Sequence, residues 1–145
     1  MAFFELSTPR DMLEKTRREY QRLKQSWDID NVFNFFVSAN HIRDYIRKTN
    51  AVPQHVLNTF EHEQDIKDCA DLCDKGKHLH LTKRPDPTTD TLYGNAIAGL
   101  AIAGEAIVGS EGVWALRSGD RVVPVEDLAD RLMQKWNSFF EQHGL

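Results

Sequence analysis

Two groups of residues carry side chains suited to proton transfer and to binding a phosphate. His41, Arg43 and Asp44 lie at the edge of one apolar segment, and Lys77 and His78 close another. A histidine exchanges protons near neutral pH, and a neighbouring cation stabilises a developing phosphate charge. Because Asp44 follows His41 by three residues, its carboxylate is placed to orient the imidazole on one helix face. If the two segments pack together, these residues predict RNA cleavage without a metal, with the 2′-hydroxyl as nucleophile.

A purely structural interpretation of the same residues is also open. A histidine at a helix edge commonly bonds a backbone carbonyl, and basic residues at a helix C-terminus complement its dipole. Under the functional interpretation, the catalytic candidates are His78, His41 and Asp44. The candidates for contacting a phosphate or a partner are Arg43, Lys75 and Lys77.

A weaker set of candidates is suited to zinc. Thiolates and imidazoles are zinc ligands, and the set comprises Cys69, Cys73, His78 and His80. However, the spacing matches no standard zinc finger, and both cysteines continue the apolar pattern that begins at Ile66. Small buried side chains explain the cysteines better, so we expect no metal and no cofactor.

Composition limits the class of protein. The chain has 145 residues, of which 41% are hydrophobic and 28% charged, as in an ordinary globular domain. Its net charge of −4 disfavours general DNA binding, because phosphate neutralisation by basic residues supplies most non-specific affinity. The first residues lack a basic start and a long apolar run, and the uncharged stretch from Thr91 to Gly104 is short for a membrane span. We therefore expect a cytoplasmic protein without a membrane segment, with Cys69 and Cys73 reduced.

The first half of the chain predicts four helices. The first begins at Thr8-Pro9 and has a basic face that is either solvated, with pairs such as Glu14 and Arg18, or a binding surface. Asp28 or Asp30 caps the second helix, whose broad apolar stripe predicts a central position. A short third helix starts at Pro53, and the fourth runs from about His62 to a stop at Gly76.

The pattern changes after Lys77. Residues 78–82 alternate like a strand, and three near-copies of a five-residue unit follow in 96–110, read as one or two strands or as a small-residue helix. Ser118-Gly119-Asp120 between two apolar runs is the clearest hairpin signal, and Pro124 places the second strand at an edge or lies near its end. The final helix begins at about Glu126, where acidic residues suit the helix dipole.

These elements predict an α+β domain in which a bundle of about four helices packs with a small antiparallel sheet and a C-terminal helix. A single domain is expected over residues 1–145, with a helical part at 8–77, a β-rich part at 78–125 and the C-terminal helix at 126–142. A homodimer is a further expectation from the hydrophobic content.

Two stretches carry a resemblance to known proteins. Asn34 to His41 with Asp44, followed by Asp74 to Leu79, resembles a group of small bacterial and phage proteins of unassigned function. The helical part is also distantly similar to HEPN domains, four-helix bundles that include RNA nucleases. Their catalytic motif is an arginine followed by four to six residues and a histidine, and no arginine stands at that distance before His78. The resemblance implies a helical bundle, and the departure from the motif argues against HEPN-type catalysis.

The function expected from the sequence is therefore a non-enzymatic interaction or regulatory protein of bacterial or phage type, with a protein partner. The alternative is a metal-independent ribonuclease or an RNA-binding protein that uses His78 and His41.

Overall fold

A computed structural model describes residues 2–93 and 112–145 of the chain, and these contain five helices and three strands. The helices are α1 (Pro9–Gln25), α2 (Ile29–Thr49), α3 (Gln54–Glu61), α4 (Gln64–His78) and α5 (Val125–His143). The strands are β1 (Thr88–Leu92), β2 (Val113–Ser118) and β3 (Arg121–Pro124). The α+β prediction, with a helical bundle, an antiparallel sheet and a C-terminal helix, is confirmed.

The first two helices begin where their capping residues predict. Thr8 accepts a hydrogen bond from the backbone of Asp11, whose carboxylate bonds back to the Thr8 amide, forming a capping box. Asp28, and not Asp30, caps α2 by accepting from the amide of Asn31 at 2.8 Å. The helix ends at Asn50, which adopts the left-handed conformation that asparagine tolerates.

Helix α2 lies in the middle of the bundle, as its broad apolar stripe predicts. It packs against α1 and α4 and also touches α3 and α5. Six of its apolar side chains are buried: Val32, Phe35, Phe36, Ala39, Ile42 and Ile46. Burying several large apolar side chains on one helix stabilises the bundle by roughly 1.5–3 kcal/mol for each.

The end of α4 differs from the prediction. Gly76 does not stop the helix, which continues to His78 and ends where Leu79 adopts a φ of 64°. The strand predicted at residues 78–82 is wrong, because the amide of Leu79 bonds the carbonyl of Lys75 and the amide of Leu81 bonds the carboxylate of Asp86. Alternation over five residues is too short a signal to outweigh a helix that is already formed.

The strands form an antiparallel sheet in the order β1-β2-β3. The predicted hairpin is confirmed, with Gly119 at a φ of 60° in its turn and Pro124 on the edge strand β3. Strand β1 was not predicted; it pairs with β2 from Thr88 opposite Arg117 to Leu92 opposite Val113. The strands or helix predicted for 96–110 lie outside the described residues.

Helix α5 closes the core, and two arginines tie it and the sheet to α4. Trp136 is buried against Phe60, with ring centroids 4.7 Å apart. Arg131 bonds both carboxylate oxygens of Asp65, at 3.0 and 3.1 Å, and Arg121 bonds both of Asp68, at 2.8 and 3.1 Å. Within residues 2–93 and 112–145, no helix is long and apolar enough to cross a bilayer.

Candidate functional site

His41 has a backbone partner. Its Nδ1 lies 2.6 Å from the carbonyl oxygen of Val37 and donates to it, because a carbonyl only accepts. The neutral ring therefore carries its proton on Nδ1 and keeps Nε2 as a proton acceptor. Asp44 was expected to orient this ring, but its carboxylate accepts from Arg47 at 3.3 Å. The carbonyl of Val37 orients the imidazole in its place.

Two of the predicted cations, Lys77 on α4 and Arg43 on α2, act on the pKa of a buried cysteine, Cys73. Burial raises the pKa of the Cys73 thiol, and the positive charge of Lys77, a hydrogen bond from Asn40 and the charge of Arg43 oppose that rise. Helices α2 and α4 do pack together, and the convergence of the predicted residues on one polar spot stays a prediction.

Arg43 and Lys77, two of the predicted cations, pair with no carboxylate of the described residues. Neither Arg43 nor Lys77 forms an ion pair there, and the Nε of Arg43 is buried without a hydrogen-bond partner. The Oδ1 of Asn40 is likewise buried and unpartnered. Polar atoms left in this way are costly, and the described residues hold two more, the Oε2 of Glu19 and the Nε1 of Trp136.

The remaining predicted residues lie at the end of α4 and just after it. Lys75 donates to Asp86 at 2.9 Å, and the Nδ1 of His80 lies 3.4 Å from the same carboxylate. The bond from Lys75, followed by the backbone amide of Leu81, holds the pKa of Asp86 below its usual value. His78 is exposed as the last residue of α4. Lys75, which was predicted to contact a phosphate, therefore pairs with Asp86.

The two cysteines that were weak zinc candidates are core residues. Cys69 and Cys73 are both buried and free, and the thiol of Cys69 points to the carbonyl of Phe36 at 3.7 Å. Burial also raises the pKa of Cys69 far above that of an ordinary thiol. In the part of the chain that the structure describes, no three His, Cys, Asp or Glu side chains are grouped to hold a metal ion.

The basic face of α1 is mostly neutralised by acidic neighbours. Lys15 and Arg22 both bond Oε1 of Glu19, at 2.9 and 2.7 Å, and Lys24 bonds Asp130 and Glu126 on α5, each at 3.1 Å. The pair predicted between Glu14 and Arg18 is replaced by pairs of Glu14 with its other neighbours, Arg10 and Arg17. This pairing favours the solvated interpretation of the face.

An apolar groove lies between the helices and the sheet. It has a volume of about 590 Å³, and its walls are formed by α2, α4, β1 and β2. Its lining includes Ile29, Phe33, Cys73, Leu79, Tyr93 and Trp114. A cavity of this size, mainly apolar with a few polar groups, is typical of a binding site.

Exposed apolar side chains are concentrated at this groove. In residues 2–93 and 112–145, six large apolar side chains are exposed, and the groove has four of them: Ile29, Phe33, Leu79 and Tyr93. Single exposed apolar residues are ordinary, but a contiguous group marks a surface for a partner or a ligand.

Sequence reasoning missed this groove. The apolar residues of α2 predict a buried helix, and nothing in their spacing indicates that Phe33 stays 42% exposed while Phe36 is 2% exposed. One signal was present in Gly76, which lies inside a helix where glycine is unfavourable. A Cβ at Gly76 would stand 3.0 Å from two ring carbons of Phe33, so the glycine allows the ring to lie against α4 as part of the groove wall.

Comparison with known proteins identifies no relative. No protein-family model matches the chain, and no curated protein and no solved structure is recognisably similar to it. The resemblances to HEPN domains and to small bacterial and phage proteins therefore stay predictions, and the chain's own geometry has to carry any functional conclusion.

Proposed function

We propose that this chain is a non-enzymatic interaction protein that binds a protein partner through the groove between α2, α4 and the sheet. The observation that carries the proposal is the concentration of exposed apolar side chains at the groove. Apolar surface costs roughly 25 cal/mol for each Å² kept in water, so a partner that covers these side chains gains that energy. Helix-in-groove binding uses surfaces of this kind.

The backbone at the edge of the groove supports the same proposal. Leu79 has a φ of 64° and is 72% exposed, which combines a strained conformation with an apolar side chain in water. A sparsely populated backbone conformation of this kind costs a residue with a Cβ roughly 1–3 kcal/mol, and such strain is concentrated at functional sites. A role in binding at the groove rim would account for both the strained backbone and the exposed side chain of Leu79.

The test is capture of a partner from a native lysate of the source cells by the tagged chain and by Phe33→Asp. We expect the groove variant to lose a protein that the wild type retains. Phe4→Asp is the matched control, because Phe4 is also exposed but lies away from the groove. Equal capture by all three proteins would remove the groove from the proposal, and a wild type that captures nothing would count against an interaction protein.

A second candidate is a metal-independent ribonuclease or RNA-binding protein using His78 and His41. It is favoured by Arg43 and Lys77, which pair with no carboxylate of the described residues, and by the Nδ1–H of His41, which leaves Nε2 as a proton acceptor. Cleavage of a mixed RNA pool in EDTA by the wild type, lost in a folded His78→Ala variant, would establish it. Absence of cleavage by the folded wild type would leave partner binding at the groove as the favoured function.

The cellular setting is part of the proposal. We propose a bacterial or phage-encoded protein acting in the cytoplasm, where thiols stay reduced. Its support is that Cys69 and Cys73 are buried and unbridged.

A further inference from the structure

We propose that the partner segment binds as an added strand along the edge of β1 that faces away from β2, with a basic residue opposite Asp90 and apolar residues on either side of it. This inference rests on the proposed function and specifies how the partner lies at the groove. It commits to an extended segment of another protein, held largely by its backbone.

Strand β1 is at the edge of the sheet and borders the groove. The strand order is β1-β2-β3, so β1 has β2 on one side and no strand of the described residues on the other. Three consecutive residues of β1 line the groove: Thr89, Asp90 and Thr91. Because successive side chains of a strand point to opposite faces, a lining by three in a row means that the edge of the strand, with its backbone, borders the groove.

The register of the sheet identifies the backbone groups at this outer edge. A two-residue turn joins β2 to β3, so the pair that closes it, Ser118 with Arg121, exchanges both backbone bonds. Bonded pairs alternate along an antiparallel ladder, so Leu116 also bonds towards β3. Its opposite residue on β1, Thr89, therefore turns its N–H and C=O to the outer edge, and Thr91, two residues further on, does the same.

A hydrogen bond in the structure agrees with this assignment. The amide of Thr91 donates to Oδ1 of Asp90 at 2.8 Å, as suits an amide at an edge without a neighbouring strand. Within residues 2–93 and 112–145, no backbone group outside the sheet bonds Thr89, which is exposed. A row of unpaired edge groups is a template for another strand, and β1 contains no proline, lysine or bulge that would block the pairing.

The charge at the middle of β1 favours a basic residue on the added strand. The side chain of Asp90 is 52% exposed, and Arg117 contacts it at 3.3 Å from the β2 side only. A residue directly opposite Asp90 on the added strand would lie within reach of its carboxylate, where an opposite charge stabilises and a like charge destabilises. A second copy paired symmetrically about Asp90 would place two carboxylates against each other.

The exposed apolar side chains of the groove account for the flanking residues. Thr91 lies opposite Trp114, which packs against the helical core and lines the groove, so this face of the sheet is the groove face. Side chains next to the basic residue would point to the same face, towards Phe33, Leu79 and Tyr93, which are 42%, 72% and 60% exposed. A helix in the groove could cover these side chains but would leave the edge of β1 unpaired.

The experiment selects short peptides from a displayed random library on the full chain. An excess of the soluble Phe33→Asp/Leu79→Asp variant removes peptides that do not need the groove. We expect selected peptides to carry Lys or Arg between apolar residues. N-methylation of the peptide backbone then tests the binding mode without altering the protein. Since alternate N–H groups of an added strand face β1, N-methyl groups should abolish binding at every second residue and be tolerated between them.

Two substitutions in β1 test the same contact from the protein side. Thr89→Pro removes an edge amide but no bond to β2, and should weaken Kd by about tenfold or more because a peptide carbonyl loses its donor. Thr89→Val keeps the amide and should bind as the wild type does. Asp90→Asn should weaken Kd by about two- to fivefold, as for an exposed ion pair. Replacing the basic residue of the peptide by Gln should give the same loss, with no further loss on Asp90→Asn.

Amide exchange measures whether the edge is open. The N–H of Thr89 should exchange quickly in the free chain and slowly in the complex. The N–H of Asp90 faces β2 and should exchange slowly in both. Slow exchange of Thr89 in the free chain would mean that the edge is already covered and would overturn the inference. If dilution removes that protection, the occupant is a second copy of the chain.

The other outcomes separate this inference from the proposed function. Peptides that bind Thr89→Pro as tightly as the wild type, and tolerate N-methyl groups throughout, would overturn the added strand and leave the groove proposal standing. Peptides without a basic residue, bound equally by Asp90→Asn, would overturn the charge contact alone. Failure of the library to give any peptide that depends on the groove would overturn both proposals.

Discussion

Gly76 of α4 and Phe33 of α2 are in direct apposition: a Cβ on the glycine would stand 3.0 Å from two carbons of the phenylalanine ring. That distance is shorter than an ordinary van der Waals contact. The ring can lie against α4 because the helix has no side chain at this point. The missing side chain thus shapes the wall of the groove, although Gly76 itself is exposed.

Gly76→Ala is expected to move Phe33 without unfolding the chain. Alanine removes the glycine penalty in a helix, about 1 kcal/mol, and the new methyl group displaces a ring that is free to yield because it is 42% exposed. The free energy of unfolding should stay within about 1 kcal/mol of wild type. Aromatic NMR resonances of Phe33 should shift, and those of the distant Phe60 should not. Unchanged Phe33 resonances would contradict the apposition.

The parts of the fold that local patterns encode could be predicted from the sequence. Thr8 and Asp28 mark helix starts because a side-chain oxygen satisfies free amides there, and Gly119 marks a turn because its φ is positive. Strand β1 escaped prediction because Thr-Thr-Asp-Thr-Leu has only one apolar residue, so its position depends on pairing with β2. Local sequence signals predict helices and turns. They do not indicate which distant segments pair as strands.

The candidate site could likewise be predicted only in part from the sequence. The sequence identified Arg43 and Lys77 as cations at the edges of two helices, and among the described residues the Nε of Arg43 is buried without a hydrogen-bond partner. It did not predict that Lys75 would be bound by Asp86 or that His41 would bond to Val37, because competing partners are known only once the chain is folded. The exposure of Phe33 depends on how the sheet packs beside α2. The spacing of apolar residues along the helix does not indicate this packing.

Leu79→Gly is expected to stabilise the fold and to weaken partner binding. Glycine accepts the φ of 64° without a clash, so relief of strain should raise the free energy of unfolding by about 1 kcal/mol. The same change removes an exposed side chain from the groove rim. Urea unfolding and the amount of partner captured by the tagged chain measure the two effects. Gly144, which also has a positive φ but lies at the end of α5, gives the control Gly144→Ala, which should lose stability.

The two thiols should react slowly in the folded protein. Both are buried, and burial raises the pKa of each, so little thiolate forms at pH 8. We expect a disulfide reagent such as DTNB to react with two thiols per chain in guanidinium chloride, and far more slowly without it. Because the folded pKa values are raised, the native rate should keep increasing beyond pH 8.5, where an ordinary thiol is half ionised. Fast native labelling that Cys73→Ala abolishes would mean that the groove wall opens at this residue.

Arg121 is expected to matter more for stability than other arginines of the sheet. It bonds both carboxylate oxygens of Asp68, which is 1% exposed on α4, so the pair joins β3 to the helical bundle. Arg121→Gln leaves a buried charge with only the amide of Gln64 as a side-chain partner, and should cost about 2–3 kcal/mol. Arg117→Gln is the matched control, because Arg117 pairs with Asp90 on the exposed face and should cost under about 1 kcal/mol. Equal midpoints in urea for the two variants would mean that the buried carboxylate finds another partner when Arg121 is removed.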